Sequence, residues 1–314
     1  MTTSDSNARS NDESSADRAP LLELEAMDEL WFQVAGTLCN LTCNHCFISC
    51  HPGNDTFGFL SLDDVRRRLE ESVRHGVKEY YFTGGEPFLN KEMLPILQET
   101  LRYGPATVLT NATAFTPSAI ESLMKIAGAS RYSLELRVSI DGYDAATNDP
   151  IRGEGTFDAA MRGLKMLVEA GFLPIVTIAQ TWPDAEREHV FESFVTTLHS
   201  TGYARPRIKI LPTLHLGMEE LRSRPYMDAE RVTERMMEDY ETSQLLCSRG
   251  RTVTDRGIAV CPLLIEADDS HLGDSLDDAS RPFALAHGAC YTCYVHGAIC
   301  SNVGGRSLSN RGKE

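Results

Sequence analysis

No stretch of this 314-residue sequence approaches the roughly 18 uninterrupted apolar residues of a membrane helix, and its polar start lacks the basic flank and apolar core of a secretory signal. We therefore expect a cytoplasmic chain with no membrane partner. Positive charge is in short supply: 30 Lys and Arg stand against 45 Asp and Glu, a net charge of −15. Such a balance argues against nucleic acid as a partner, whose footprint on a protein is a basic patch or stripe. Cysteine is too sparse for a small disulfide scaffold, and nine residues is an odd number to pair. What is present is ordinary for a globular protein, 42% hydrophobic and 24% charged, with a length that suits two domains or one α/β domain with an appendage.

Residues 1–27 are rich in Ser, Asp and Asn and read as a disordered leader. From Leu30 the chain alternates short apolar runs with amphipathic stretches. WFQVAG, VKEYYFTGG, ATVLTN, YSLELRVSIDG, PIVTIAQT and RIKILPT are strand-like, and helical patterns of roughly 10 to 15 residues separate them. Such repetition predicts an α/β fold with a parallel sheet over 28–240. Ser61-x-x-Asp64 forms a candidate capping box, and Gly76, Gly104 and Gly171 mark helix ends. After about residue 240 the rhythm stops. Residues 241–303 carry five cysteines and a hairpin-like RTVTDRGIAVCP and read as a small module folded around metal, with 304–314 a flexible tail.

The cysteines cluster at the two ends. CNLTCNHC places Cys39, Cys43 and Cys46 directly after the first strand-like run. Three thiolates in one short loop can hold three irons of a [4Fe-4S] cube and leave the fourth iron open. A zinc knuckle or packed thiols are the alternatives from spacing alone, although tetrahedral zinc wants four ligands and His45 is awkwardly placed for the fourth. Further motifs follow at successive strand ends: Thr83-Gly84-Gly85-Glu86-Pro87, Thr110-Asn111-Ala112, and Ser139-Ile140-Asp141-Gly142 with Ile151-Arg152-Gly153. Strand C-termini are where α/β barrels carry their sites.

In this order the motifs resemble those of the radical S-adenosylmethionine (SAM) enzymes over about residues 30–215. The resemblance implies a partial (β/α)6 barrel in which a reduced [4Fe-4S] cluster cleaves SAM to a 5′-deoxyadenosyl radical that abstracts a substrate hydrogen, with an electron donor such as flavodoxin or ferredoxin. It assigns the cluster to Cys39, Cys43 and Cys46, and SAM to His45, Gly84, Gly85, Glu86, Asn111, Ser139 and Arg152. Glu86 would accept from the SAM ammonium, and the Arg152 fork suits its carboxylate. Ala112 stands where the family turn has Gly, and His45 where it has an aromatic residue. Cys50 is kept off the cluster, since a fourth thiolate would block the open iron.

The C-terminal cysteines resemble the family's twitch module, a shortened SPASM domain. That likeness implies an auxiliary [4Fe-4S] cluster on Cys247, Cys261, Cys290 and Cys293, with structural zinc as the alternative. Cys247 and Cys261 would end a hairpin turned near Gly257, Cys290-x2-Cys293 would share a tight loop, and Cys300 is left open as a ligand or hydrogen donor. Strand alternation puts Glu135 and Arg137 on the side of Ser139, where they pair with each other or meet substrate, the alternative being a solvent-reaching strand end, and Lys209 has the same two readings. The expected reaction is net oxidation, by dehydrogenation or crosslinking, of a small molecule or peptide. Redox-neutral epimerisation or decarboxylation is a second enzyme reading, and a non-catalytic metal-binding scaffold the reading from another class.

Overall fold

Strand β1 (Leu21–Leu22) precedes six parallel strands: β2 (Glu29–Gln33), β3 (Glu79–Thr83), β4 (Ala106–Thr110), β5 (Leu134–Ser139), β6 (Ile175–Ala179) and β7 (Arg207–Leu211). This computed structural model describes residues 18–297 and 299–300. The six strands pair in chain order, as repeated βα units require, and coincide with the six strand-like runs. Even-numbered positions are apolar and sealed: Leu30, Phe32, Tyr80, Phe82, Val108, Leu136, Val138, Val176 and Ile178 are at most 2% exposed. This face meets the helices, as when Tyr80 and Ser72 of α1 (Leu62–His75) join hydroxyls at 2.7 Å. Odd-numbered positions carry Glu29, Tyr81, Thr83, Glu135, Arg137, Ser139, Thr177 and Lys209, a polar set on the opposite face.

Helices α2 (Met93–Thr100), α3 (Pro117–Ala129), α4 (Ala145–Arg152), α5 (Thr156–Glu169) and α6 (Arg187–Ser200) fill the crossovers. Helix α1 starts at the expected capping box and ends at Gly76 in a left-handed conformation with φ 71°. Gly171 is left-handed after α5, but Gly104 is no left-handed cap: it lies beyond α2, which caps at Leu101, and an added Cβ would sit 3.0 Å from the Tyr80 ring. Short helices α7 (Gly217–Arg222) and α8 (Glu234–Met237) lead out of the repeat.

The C-terminal segment extends the same sheet. Strand β8 (Gly250–Thr254) pairs in parallel with β2, and β9 (Gly257–Ala259) and β10 (His271–Gly273) add antiparallel strands beyond it. Strand β11 (Phe283–Ala284) pairs with β1, and α9 (Gly288–His296) follows. The pairing of β1 corrects the expected leader: within residues 1–27, residues 18–27 are built into the fold. Leu22 and Met27 are buried and Glu25 N–H donates to Ser248 O at 2.8 Å. Residues 1–17 and the tail 304–314 lie outside the described residues. Among the described residues no helix is long and apolar enough to cross a membrane.

Candidate active site

Cys39, Cys43 and Cys46 line one cavity of about 230 Å³ with Thr83, Gly84, Gly85, Asn111, Ser139, Asp141, Arg152 and Thr177. Opposite the cysteine loop, the odd-numbered Thr83, Leu109, Ser139, Thr177 and Leu211 face it from the ends of β3 to β7, as strand alternation requires. The cysteine loop is docked from two sides. Asn44 N–H donates to Ile151 O at 2.9 Å and its amide to Pro150 O at 2.8 Å, which ties the loop to the end of α4. On the other side Gly85 touches it closely: a Cβ there would stand 2.0 Å from Leu38 O and 2.7 Å from Cys39 N. The close approach that Gly85 permits is therefore to the cysteine loop itself.

Glu86 is not on the cavity wall. Its carboxylate is wholly buried and accepts from Thr110 Oγ1 at 2.8 Å, Asn111 N at 2.7 Å and Phe88 N at 3.1 Å, locking the β3 turn to the β4 turn. Burial raises its pKa despite those bonds. This departs from the expected contact between its carboxylate and an ammonium. Asn111 lines the cavity, and its amide faces Cys39 Sγ at 3.8 Å. Ala112 adopts φ 58°, so the backbone keeps the left-handed turn that glycine makes without strain.

The strongest electrostatic feature lies on Asp141, which the sequence reading passed over. Its side chain is fully buried, with Oδ2 2.5 Å from Arg152 Nε and 2.8 Å from His45 Nε2, while Oδ1 accepts from Ala179 N at 2.7 Å. Burial alone would raise its pKa, but the charges of Arg152 and His45 outweigh it and hold the carboxyl well below its usual range. Residues 139 and 141 share strand parity, and that was the available signal. His45 Nδ1 and Thr177 Oγ1 are buried without a hydrogen-bond partner among the described residues. Together with the Arg152 fork they give the cavity the donors and acceptors of a site for a polar ligand.

The three thiols differ. Burial pushes Cys39 up to about 12 and raises Cys43. The Cys46 thiol is lowered because Cys50 donates to it from its side chain and from its backbone N–H at 3.3 Å. Cys50 is buried and packs with Phe57 against Ala259 and Ile265, so the loop rests on the C-terminal segment.

That segment carries a second sulfur site. Cys247, Cys261, Cys290, Cys293 and Cys300 line one cavity whose remaining wall is Leu245, Leu246, Val260, Leu263, Leu264 and other apolar side chains. Cys247 precedes β8 and Cys261 follows β9, as a hairpin with Gly257 at the turn requires. Cys290 and Cys293 sit on α9, one turn apart on one face, rather than in a tight loop. Cys300 joins the other four, and Arg137 Nη1 donates to its carbonyl at 2.5 Å. Arg137 is buried over the Tyr81 ring, with Glu135 at 3.8 Å, while Glu135 pairs more closely with Arg207 at 2.8 Å. Burial and then the Arg137 charge lower Lys209 to about 8. None of these three residues lines the first cavity.

The Radical SAM superfamily profile matches residues 34–193, just over half of the chain. The chain belongs to the radical SAM superfamily. Among curated relatives it is 30% identical over 178 residues to the GTP 3′,8-cyclase of Actinobacillus succinogenes, covering 56% of this chain and 52% of that protein. It is 33% identical over 135 residues to the mycofactocin maturase MftC of Mycolicibacterium smegmatis, covering 43% and 33%. The radical SAM match thus spans about half or less of these relatives' length. Streptococcus suis SuiB bound to S-adenosylmethionine shares the fold, with a TM-score of 0.58 and 16% identity over 78% of this chain and 63% of SuiB. SuiB has also been solved bound to precursor peptide SuiA.

Proposed function

We propose that this chain is a radical SAM oxidoreductase with two [4Fe-4S] clusters, acting on a small molecule or a peptide. The observation that carries the reading is the pairing of two thiol sites: a three-cysteine loop on a polar cavity, and a five-cysteine pocket joined to the strands of the first site by the Arg137 contact to Cys300. When bound, a cluster with one open iron cleaves SAM reductively and supplies a hydrogen-abstracting radical, and a second cluster can take up the electron left on the substrate.

The chain's own residues do the positioning. Cys39, Cys43 and Cys46 provide the three thiolates, and the Asn111 amide and Cys50 N–H support two of those sulfurs. Asp141 fixes His45 beside the loop and Arg152 at its edge, leaving the rest of the guanidinium fork for a carboxylate. Ser139 and Thr177 offer hydroxyls from β5 and β6, while Leu41, Phe47, Leu109, Leu211 and Leu214 keep the cavity apolar between them and exclude water. At the C-terminal site the donor set is sulfur alone. Structural zinc on the same sulfurs is the alternative that metal analysis of the loaded protein would reveal. The solved complex of SuiB with a precursor peptide supports a peptide among the candidate substrates, and flavodoxin or ferredoxin suits the role of electron donor.

Cys300 supports one further reading, redox-neutral chemistry in which its thiol returns a hydrogen atom. Burial holds that thiol protonated, with a pKa of about 12, beside Lys209 and Arg137. Solvent deuterium in an unoxidised product would select it.

The test is anaerobic incubation of the reconstituted, reduced enzyme with SAM. Release of 5′-deoxyadenosine by the wild type, and a fall of at least ~10³-fold when Cys39, Cys43 and Cys46 are replaced by Ala, is the expected result. No 5′-deoxyadenosine from the loaded wild type would overturn the proposal.

A further inference from the structure

Arg251 lies on β8, where it pairs with Leu30 of β2 four residues after Cys247, and is only 1% exposed. Its guanidinium is held entirely by carbonyl oxygens: Nε donates to Ala279 O at 2.7 Å, Nη1 to Cys247 O at 2.6 Å and Gly250 O at 2.8 Å, and Nη2 to Arg281 O at 3.1 Å. Those partners satisfy its protons but are neutral. Among the described residues it forms no ion pair with a carboxylate, and the carbonyl of Cys247 is one of its four acceptors.

A buried cation without an anion is strongly unfavourable, and buried charges are ordinarily paired or coordinate a metal site. A guanidinium stays protonated across the working pH range, so Arg251 is a buried positive charge. Thiolates bound to iron are deprotonated, and a [4Fe-4S]²⁺ core on four of them carries a net charge of about −2.

We propose that Arg251 is the built-in counter-charge of the C-terminal cluster and biases that cluster toward accepting an electron. The inference rests on the two-cluster reading above. It follows from geometry specific to this site: the same guanidinium that carries the charge also grips the carbonyl of Cys247, so the charge is fixed within one residue of a ligand. Net charge and hydrogen bonding near the sulfurs are principal determinants of cluster potential. A fixed positive charge stabilises the reduced, more negative state.

The experiment is a redox titration followed by EPR on the anaerobically loaded full chain, comparing the wild type with Arg251→Met and Arg251→Lys. Neutral Arg251→Met is expected to weaken reduction of the C-terminal cluster at least tenfold, about 59 mV for a one-electron couple, or to lose that cluster selectively while the Cys39 cluster and its potential stay in place. Arg251→Lys, which keeps the charge but not the carbonyl fork, is expected to retain the cluster within a few-fold of the wild-type equilibrium. A wild-type potential in Arg251→Met, or identical behaviour of the Met and Lys variants, would overturn the inference and assign Arg251 a structural role. A wild type that holds about four irons per chain would instead overturn the two-cluster reading itself.

Discussion

Around Cys39, Cys43 and Cys46 the wall carries hydroxyls, an amide, a guanidinium and an imidazole, whereas around Cys247, Cys261, Cys290, Cys293 and Cys300 it is almost wholly carbon. The first surroundings suit a site that must bind and orient a polar ligand beside its metal. The second suit a metal group sealed from solvent, whose task is to hold or pass an electron. Charge compensation differs in the same sense. In the first site the Asp141 carboxylate pairs with Arg152 within the protein, while in the second Arg251 is left for the bound group to neutralise.

The contrast can be broken at Asp141. Asp141→Asn removes the carboxylate from a buried ion cluster, a change that typically costs about 3–5 kcal/mol. It should lower stability by that order and weaken SAM binding at least tenfold by calorimetry, while iron at the C-terminal site stays unchanged. Equal losses at both sites would make Asp141 a general scaffold residue.

Between the two sites, Lys209 sharpens the comparison through pH. Its folded pKa, about 8, lies below the ordinary value of 10.5, so the unfolded chain binds more protons between those values. Keeping Lys209 charged therefore destabilises the fold fully below pH 8, and the penalty is relieved as pH rises from about 8 to 10.5. Lys209→Met should be more stable than wild type at pH 7 by up to about 3 kcal/mol, with the difference vanishing near pH 10.5 in denaturant titrations. A pH-independent difference would place Lys209 in solvent.

The smallest expected effect is at Ala112. Glycine accepts φ 58° without the strain that alanine bears, so Ala112→Gly should be neutral to about 1 kcal/mol stabilising by denaturant midpoint. A loss exceeding that would mean the buried methyl group outweighs the turn.

Much of this was legible in residue order. Period-two runs such as EYYFT and LELRVS define strands because every even position had to be apolar, and the Ser61 to Asp64 box marked the start of α1. Helix α4 was not legible, since Asn148, Asp149 and Pro150 give AATNDPIR the composition of a turn. Residues 18–27 looked like an unstructured leader because their partners, β11 and Ser248, lie more than two hundred residues away in sequence. The three cysteines announce themselves by spacing, but Asp141 and Arg251 do not, because their meaning depends on what they face across the sheet. Glu86 shows the reverse: its motif is plain, and its carboxylate is occupied by Thr110 and Asn111.

The most direct test of two unlike sulfur sites is iron counting with EPR after anaerobic reconstitution of three proteins: the wild type, the Cys39/Cys43/Cys46 to Ala variant, and a Cys247/Cys261/Cys290/Cys293 to Ala variant. The account predicts about eight irons in the first and about four in each of the others, with a signal perturbed by SAM only where Cys39, Cys43 and Cys46 are intact. Zinc in the C-terminal site of the first variant, or about four irons in the wild type, would contradict it.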